Sequence, residues 1–358
     1  MITTGRPIER ERSGWAGPAV SATMVGVRVV AAPDKFRGTA TASEVAAAVA
    51  RAAADVGWDC DEVPMADGGE GTLDALGGPN RITMVTGPLG DVVTAGWQLT
   101  GRRAVIEMAQ ASGLELAGGV EGNDPIAAST YGTGELIAAA LDAGARRVVV
   151  GVGGSATTDG GLGALRALYP VHRLRGVDLV VACDVRTTFC DAAEVFAPQK
   201  GASPAQVQLL RRRLERLAQV YVEDYGVDVR WLPGSGAAGG LAGGLVAVGA
   251  KVAEGFELVA EEAELYERIE GADLVVTGEG FLDEQSFDGK VVGGVADLAA
   301  EAGVPVLAIA GEVFDQVGDR LPTVSLMERF GTERAHGDTL ACVAEVVADV
   351  LVTGRSWR

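Results

Sequence analysis

The chain has 358 residues, 48% of them hydrophobic, and its 30 basic and 49 acidic side chains leave a net charge of −19. At roughly 150 residues per domain this length suggests about two domains, each with its own core, and the hydrophobic share excludes a disordered protein. The negative charge argues against nucleic acid or an anionic membrane as the main partner, because either repels the chain at long range.

Residues 1–23 carry Arg6, Glu9, Arg10, Glu11 and Arg12 with no apolar core, so they read as a disordered leader rather than a secretory signal. Met24, just before the first apolar run, is a candidate start. The run 27–32 predicts a strand that ends at Pro33-Asp34. Thr41-Ala42-Ser43-Glu44 then fits a capping box at a helix start. Val45, Val49, Ala52 and Val56 follow at helical spacing, and Gly57 closes the segment. A second strand is predicted over 62–66, before Asp67-Gly68-Gly69. Further strands are predicted over 147–152, 178–183, 273–277 and 304–310, each running into glycine or an acid. Ser203-Pro204 opens a helix with Val207, Leu210, Leu214 and Leu217 on one face and Arg211-Arg212-Arg213 on a solvated face.

Strands alternating with helices predict an α/β protein, with two α/β domains built on mainly parallel sheets. No fixed repeat and no Pro/Ser-rich linker separates two halves, so the chain is expected to cross between domains more than once. Residues 24–78 plus 250–354 are expected to form a Rossmann-like domain, with 79–249 inserted as the second.

Cys60, Cys183, Cys190 and Cys342 lack zinc-site spacing and are too few for a disulfide framework. With only His172 and His336, a multi-histidine metal centre is not expected. No apolar run approaches the roughly 20 residues of a membrane helix. The expected setting is the cytoplasm, with a small-molecule substrate and no nucleic-acid or membrane partner; a homodimer is left open. Glycine, at 51 residues, has about twice its usual share. Only Lys35, Lys200, Lys251 and Lys290 are lysine, and the first, second and fourth stand in glycine-flanked segments.

Asp34, Asp67, Asp184 and Glu279 all follow predicted strands, where ligands of open parallel sheets bind. One such acid alone could simply cap a helix; four embedded in glycine suggest one cleft. Gly153-Gly154-Ser155-Ala156-Thr157-Thr158-Asp159-Gly160-Gly161 follows a strand and precedes a helical pattern, which suits a phosphate cradle of backbone amides. The sequence Gly151-x-Gly153-x-x-Ala156 also fits a loose dinucleotide fingerprint, but the acid it needs falls before the next strand, at Asp178. A Walker loop is absent. The glycine cluster over 233–244 reads equally as tight helix packing, a hinge or a ligand loop. Residues 278–290 offer two potential magnesium ligands, Glu279 and Asp283, together with Lys290, in the vocabulary of phosphoryl transfer.

In order along the chain, Ala32-Pro33-Asp34-x-Phe36-x-Gly38, Ala66-Asp67-Gly68-Gly69-Glu70-Gly71-Thr72, Tyr131-Gly132-Thr133-Gly134-Glu135 and Gly153-Gly154-Ser155-Ala156-Thr157 resemble the bacterial type I glycerate kinase family. So do Ala182-Cys183-Asp184-Val185, Pro198-Gln199-Lys200-Gly201-Ala202, Gly236-Ala237-Ala238-Gly239-Gly240 and Thr277-Gly278-Glu279-Gly280. The resemblance implies a two-domain α/β kinase that transfers the γ-phosphoryl group of ATP to the 2-hydroxyl of D-glycerate with Mg2+. The chain departs from the family pattern at Lys35, Arg37, Thr158, Arg186, Phe281 and Glu284, and it nearly lacks a family stretch after Leu168.

From this resemblance, Gly153, Gly154, Ser155, Ala156, Thr157 and Asp159, with Gly278, Glu279 and Gly280, are expected around the nucleotide. Lys290 or Lys200 would assist there, and Asp67, Glu279 and Asp283 would approach magnesium. Lys35 or Arg37 would pair with the substrate carboxylate beside Asp34, Gly68, Gly69 and Glu70. Asp184 would orient or deprotonate the attacking hydroxyl. The alternatives are a silent relative that senses a nucleotide or hydroxy acid, motivated by Arg186 and Phe281, and a nicotinamide-dependent oxidoreductase.

Overall fold

In the computed structural model, residues 27–287, 289–314, 317 and 320–353 are described. The expected leader, and the outermost residues 24–26 and 354 of the expected first domain, lie outside them.

Strand β1, Arg28–Ala31, is the hub of the first sheet. Its Val29, Val30 and Ala31 are fully buried, the continuous apolar run of a strand covered on both faces. On one side it pairs with β2, Asp59–Glu62. Counting on through the second sheet's β3 to β8, given below, its other neighbour is β9, Leu274–Leu282, beyond which lie β10, Val306–Val313, and β11, Thr323–Ser325. Every pairing in this sheet is parallel. One face is covered by the helices Ala42–Asp55 and Thr339–Thr353 through Val45, Val49, Val343, Val346 and Val347. The other is covered by Gly255–Glu262, Leu265–Ile269 and Val291–Ala302.

The second sheet runs in chain order: β3, Arg81–Thr86; β4, Val92–Thr100; β5, Arg103–Glu107; β6, Arg147–Gly151; β7, Asp178–Ala182; and β8, Lys251–Ala253. Strands β3, β4 and β5 are antiparallel neighbours, and β5 to β8 are parallel. Leu136, Ile137, Leu241 and Leu245 cover one face from the helices Tyr131–Asp142 and Ala237–Ala247.

The fold is α/β with mainly parallel sheets, as the sequence predicts. The Thr41 capping box is present: Glu44 N donates to Thr41 Oγ1 at 3.2 Å and Thr41 N to Glu44 Oε2 at 2.9 Å. A second box opens the helix Pro204–Tyr225, between Ser203 and Gln206. The second strand differs from expectation. Its ladder is made by the polar edge residues 59–62, while Val63, Met65 and Ala66 are buried as the chain leaves the sheet. Strand β9 runs five residues past the expected end at 277, because 278–282 continue to pair with β10. Strand β8 joins the second sheet although it lies just past residue 250, where the first domain was expected to resume.

One helix belongs to both sheets. In Gly255–Glu262, Phe256 and Val259 pack into the core of the first sheet, while Leu258 packs on Val105, Val149 and Val180 of the second. Leucine burial of this kind contributes about 2 kcal/mol or more to holding the two layers together.

Candidate active site at the seam of the two sheets

The four acids expected to converge do so. Asp34 leaves the end of β1, Asp67 follows β2, Asp184 follows β7 and Glu279 lies inside β9. Burial pushes Asp34 up to about 6, with Asp67 adding to the rise. Burial pushes Asp184 up to about 7, again with help from Asp67. Burial also lifts Glu279 to about 7, with Asp34 and Asp283 contributing. Lys290 acts against all three rises, so its ammonium lies among carboxyl groups from both sheets.

Close backbone approach brings the layers together. A Cβ on Gly255 would lie 1.9 Å from Asp67 O, and one on Gly153 would lie 2.6 Å from Glu70 N. Only glycine lets the loop after β2 slide between the ends of β6 and β7. That loop is held from beneath by Glu107 at the end of β5, 5% exposed, whose Oε1 accepts from Gly71 N at 2.9 Å and Leu73 N at 2.7 Å. Glu107 is missing from the expected residues because β5 is not among the predicted strands. Its signal is the same one used for Asp34: an acid closing a β-branched run.

A cavity of about 420 Å³ lies at this seam, lined by Asp67, Gly68 and Gly69 on one side and by Gly153, Gly154, Ser155, Asp184 and Lys200 on the other. An adjoining hollow of about 820 Å³ shares Cys183, Asp184 and Val185 with it and reaches Arg186, Glu254 and Gly289. Together they have the dimensions of a small-molecule site. Asp184 Oδ1 accepts from Gly255 N at 2.8 Å, while Oδ2 is buried without a partner. Lys200 is 3% exposed, and its Nζ donates to Ser155 Oγ and Thr157 O, both at 2.7 Å. Burial pulls its pKa down to about 7, opposed by Asp159. Ala237 and Ala238, at a kink over 238–240 near the start of the segment Ala237–Ala247, also line the cavity. Ala238 has φ 51°, one of two non-glycine residues with positive φ among those described. Its amide and that of Gly239 make no main-chain hydrogen bond among the described residues.

The phosphate cradle is narrower than expected. Gly153, Gly154 and Ser155 face the cavity, but Ala156 and Thr157 are fully buried behind it. Asn123 Nδ2 fixes that stretch through Ala156 O and Lys200 O. Asp159 turns away: its carboxylate accepts from Thr130 N, Thr130 Oγ1, Gly161 N and Gly163 N. Gly278 and Gly280 are strand residues, where a Cβ would meet Ile309 O at 2.0 Å and Arg37 N at 3.0 Å, so they serve sheet packing rather than a ligand loop. Asp283 Oδ1 accepts from Ser286 N and Oγ and closes the turn Glu284–Phe287. Lys35 Nζ donates to Glu70 O at 2.6 Å and lies 4.0 Å from Asp34 Oδ1, but the Glu70 side chain is exposed. Arg37 is exposed beside Phe281, Met327 and His336, apart from the cavity.

Among the described residues no helix is long and apolar enough to cross a membrane. Comparison with known proteins agrees with the geometry. The Glycerate kinase family matches residues 29–170 and 170–348. Glycerate 2-kinase of Escherichia coli (strain K12) is 40% identical over 332 residues, covering 82% of this chain and 87% of its own length. Glycerate kinase of Halalkalibacterium halodurans is 42% identical over 325 residues, covering 80% and 85%. A glycerate kinase 2 structure from Salmonella typhimurium LT2 superposes with a TM-score of 0.77 at 34% identity, covering 92% of this chain and 99% of that one. The chain is a kinase and belongs to the glycerate kinase family.

Proposed function

We propose that the chain transfers the γ-phosphoryl group of ATP to the 2-hydroxyl of D-glycerate, forming ADP and 2-phosphoglycerate at the seam between the sheets. The observation that carries this reading is Asp184. One of its oxygens is anchored by Gly255 N, the other is buried and unpartnered, and its pKa of about 7 suits a proton acceptor at neutral pH. The names of the similar kinases supply the substrate.

In this mechanism the amides at 153–155, those of Ala238 and Gly239, and the Lys200 ammonium hold the phosphates. Lys35, beside Asp34 and the Glu70 carbonyl, pairs with the glycerate carboxylate, and Arg37 is the alternative. The substrate hydroxyl oxygen attacks the γ-phosphorus as its proton passes to Asp184, and the bond to the bridging oxygen of ADP breaks. The work is positioning and charge neutralisation rather than covalent help.

Magnesium fits the donors present. Glu279 Oε1 is a buried acceptor without a hydrogen bond, in a crowd of carboxyl groups. No group of three or more His, Cys, Asp or Glu that could cage a metal occurs among the described residues. Magnesium is commonly held by one or two carboxylates plus substrate phosphates, so such a cage is not needed. Asp67 and Glu279 would hold the ion, directly or through water, and bound there it would neutralise phosphate charge.

The two sheets serve as the cores of two domains, one from residues 27–78 plus about 254–353 and the other inserted between. Closure across the seam then excludes water from the phosphoryl group. The test is incubation with Mg-ATP and D-glycerate, followed by phosphorus NMR. The expected products are ADP and 2-phosphoglycerate. A 3-phosphoglycerate signal would overturn the choice of hydroxyl, and folded protein that leaves D-glycerate unchanged would overturn the substrate.

A further inference from the structure

The arginine run at 211–213, expected from the sequence to be a solvated helix face, borders a second cavity of about 810 Å³. This cavity lies behind the phosphate loop, between the helices Leu162–Ala167 and Pro204–Tyr225, and shares no lining residue with the seam cavity. Arg166, Arg212, Arg213 and Arg216 surround it, a concentration of cations in a chain whose net charge is −19. Arg213 donates to Ile126 O at 3.0 Å, and Arg216 lies 3.6 Å from Glu223. The guanidinium groups of Arg166 and Arg212 make no hydrogen bond or ion pair among the described residues.

The acid in the wall keeps its charge but forms no ion pair with these arginines among the described residues. Asp159 already has both oxygens occupied by the amides of Thr130, Gly161 and Gly163 and by the Thr130 hydroxyl. Leu162 and Leu217 make part of the wall apolar. Thr158 stands in the wall, 2% exposed, and its buried Oγ1 has no hydrogen-bond partner, so turning this side chain toward the cavity would let a bound acceptor recover the free energy of an unsatisfied hydroxyl. Guanidinium groups match phosphate oxygens in a planar fork, and the cavity is large enough for more than a phosphate.

We propose that this cavity is a second binding site, for an organic phosphate with an apolar or heterocyclic body, separate from the phosphoryl-transfer cleft. Its occupant would bear on that cleft through one peptide unit, because Thr158 follows Thr157, whose carbonyl holds Lys200 Nζ.

The test is calorimetric titration of the full chain with ADP and, separately, with inorganic pyrophosphate, without glycerate or metal. Three proteins are compared: wild type, the double variant Arg166→Gln/Arg212→Gln, and Lys200→Met. Both arginines are exposed, so the double variant keeps its core. ADP is expected to show a binding event that the double variant weakens by about tenfold or more and that Lys200→Met retains. ADP is also expected to bind there more tightly than pyrophosphate, because its body reaches the leucine wall. Equal binding of both probes by wild type and the double variant would overturn the site. Loss of the same single event in both variants would overturn its separateness, since only one pocket would then exist. Pyrophosphate matching ADP would overturn the apolar body. Because no turnover is read, failure here leaves the glycerate kinase proposal standing, and failure of that proposal leaves this one.

Discussion

Asp184→Asn separates chemistry from stability at one position. The Asp184 carboxyl is raised from 3.8 to about 7, chiefly by burial and then by Asp67, with Gly255 N and Lys290 acting in the opposite direction. The folded chain therefore holds this proton more tightly than the unfolded chain. Below pH 4 the group does not weaken the fold; as pH climbs to about 7 the cost grows, and above that it is fully present. A rise of this size, at about 1.4 kcal/mol per tenfold change, sets a ceiling of about 4 kcal/mol, and solvent on its open side reduces this to about 2 kcal/mol. Asparagine keeps the carbonyl that accepts from Gly255 N and removes the charge. Urea denaturation should show the variant more stable than wild type by about 2–4 kcal/mol at pH 8, by about 1.5 kcal/mol at pH 5 and nearly equal to it at pH 3. Its kcat should fall by about 10²–10⁴. A gain of the same size at all three pH values, or a variant weaker at pH 8, would refute the assignment of a buried, raised carboxyl.

Lys200→Met should lower kcat/KM for ATP by about 10²-fold or more, because a buried ammonium that acts on phosphate is lost. The lysine is pulled down from 10.5 to about 7, so wild-type stability should rise between those pH values as the unfolded chain alone holds the proton. Melting curves across that range should lose the rise in the variant, and a persistent rise would assign it elsewhere. Glu107→Ala leaves the buried amides of Gly71 and Leu73 without their acceptor, which should cost about 2–4 kcal/mol in urea denaturation and reduce kcat by loosening the loop that carries Asp67. Gly255→Ala, whose Cβ would stand 1.9 Å from Asp67 O, should inactivate the enzyme while far-UV circular dichroism stays unchanged; wild-type kcat in the variant would contradict the close approach. Magnesium affinity in the presence of ATP should weaken from pH 8 to pH 6, as protons compete for Glu279, and a flat fluorescence-indicator titration would exclude that carboxyl group from the metal's surroundings.

What could be read from the sequence follows from how local each signal is. Strands β1, β6, β7 and β10 sit between helices on both faces, so their apolar runs stand out, and the Thr41 and Ser203 caps are four-residue patterns with one geometric meaning. The hairpin of β3 and β4 was invisible to the same test. Ile82, Met84 and Val92 are largely exposed there while Ala95 and Trp97 are buried, so hydrophobicity does not alternate with burial. The four strand-end acids were legible because parallel topology sends them to one edge. The limits of the cradle were not, since Ser155 and Asp159 differ only in which way a short loop turns. That turn is decided by Asn123, Thr130 and Lys200, which come from distant parts of the chain. Glu107 was hidden for a related reason: its partners, Gly71 and Leu73, acquire a need for it only once the two sheets meet.

The seam also explains why so much glycine falls in so few places. Asp34, Asp67 and Glu279 are carried by the first sheet, whereas Asp184, Lys200 and the loop 153–155 are carried by the second. On the proposed mechanism, neither sheet alone holds both the loop 153–155 and the pair Asp67 and Glu279. The short helix Gly255–Glu262 ties the two sheets together by packing Phe256 into one core and Leu258 into the other, and its first residue donates its amide to Asp184; Thr72–Ala75 bridges the same two cores through Leu73 and Ala75. A Cβ at Gly255 or Gly153 would push the layers apart at the point where those groups must meet. The glycines at this seam therefore set the distance between the two halves of the chemistry. Any shift of one sheet against the other must move Asp67 relative to Asp184, which makes phosphoryl transfer sensitive to closure without a dedicated lid.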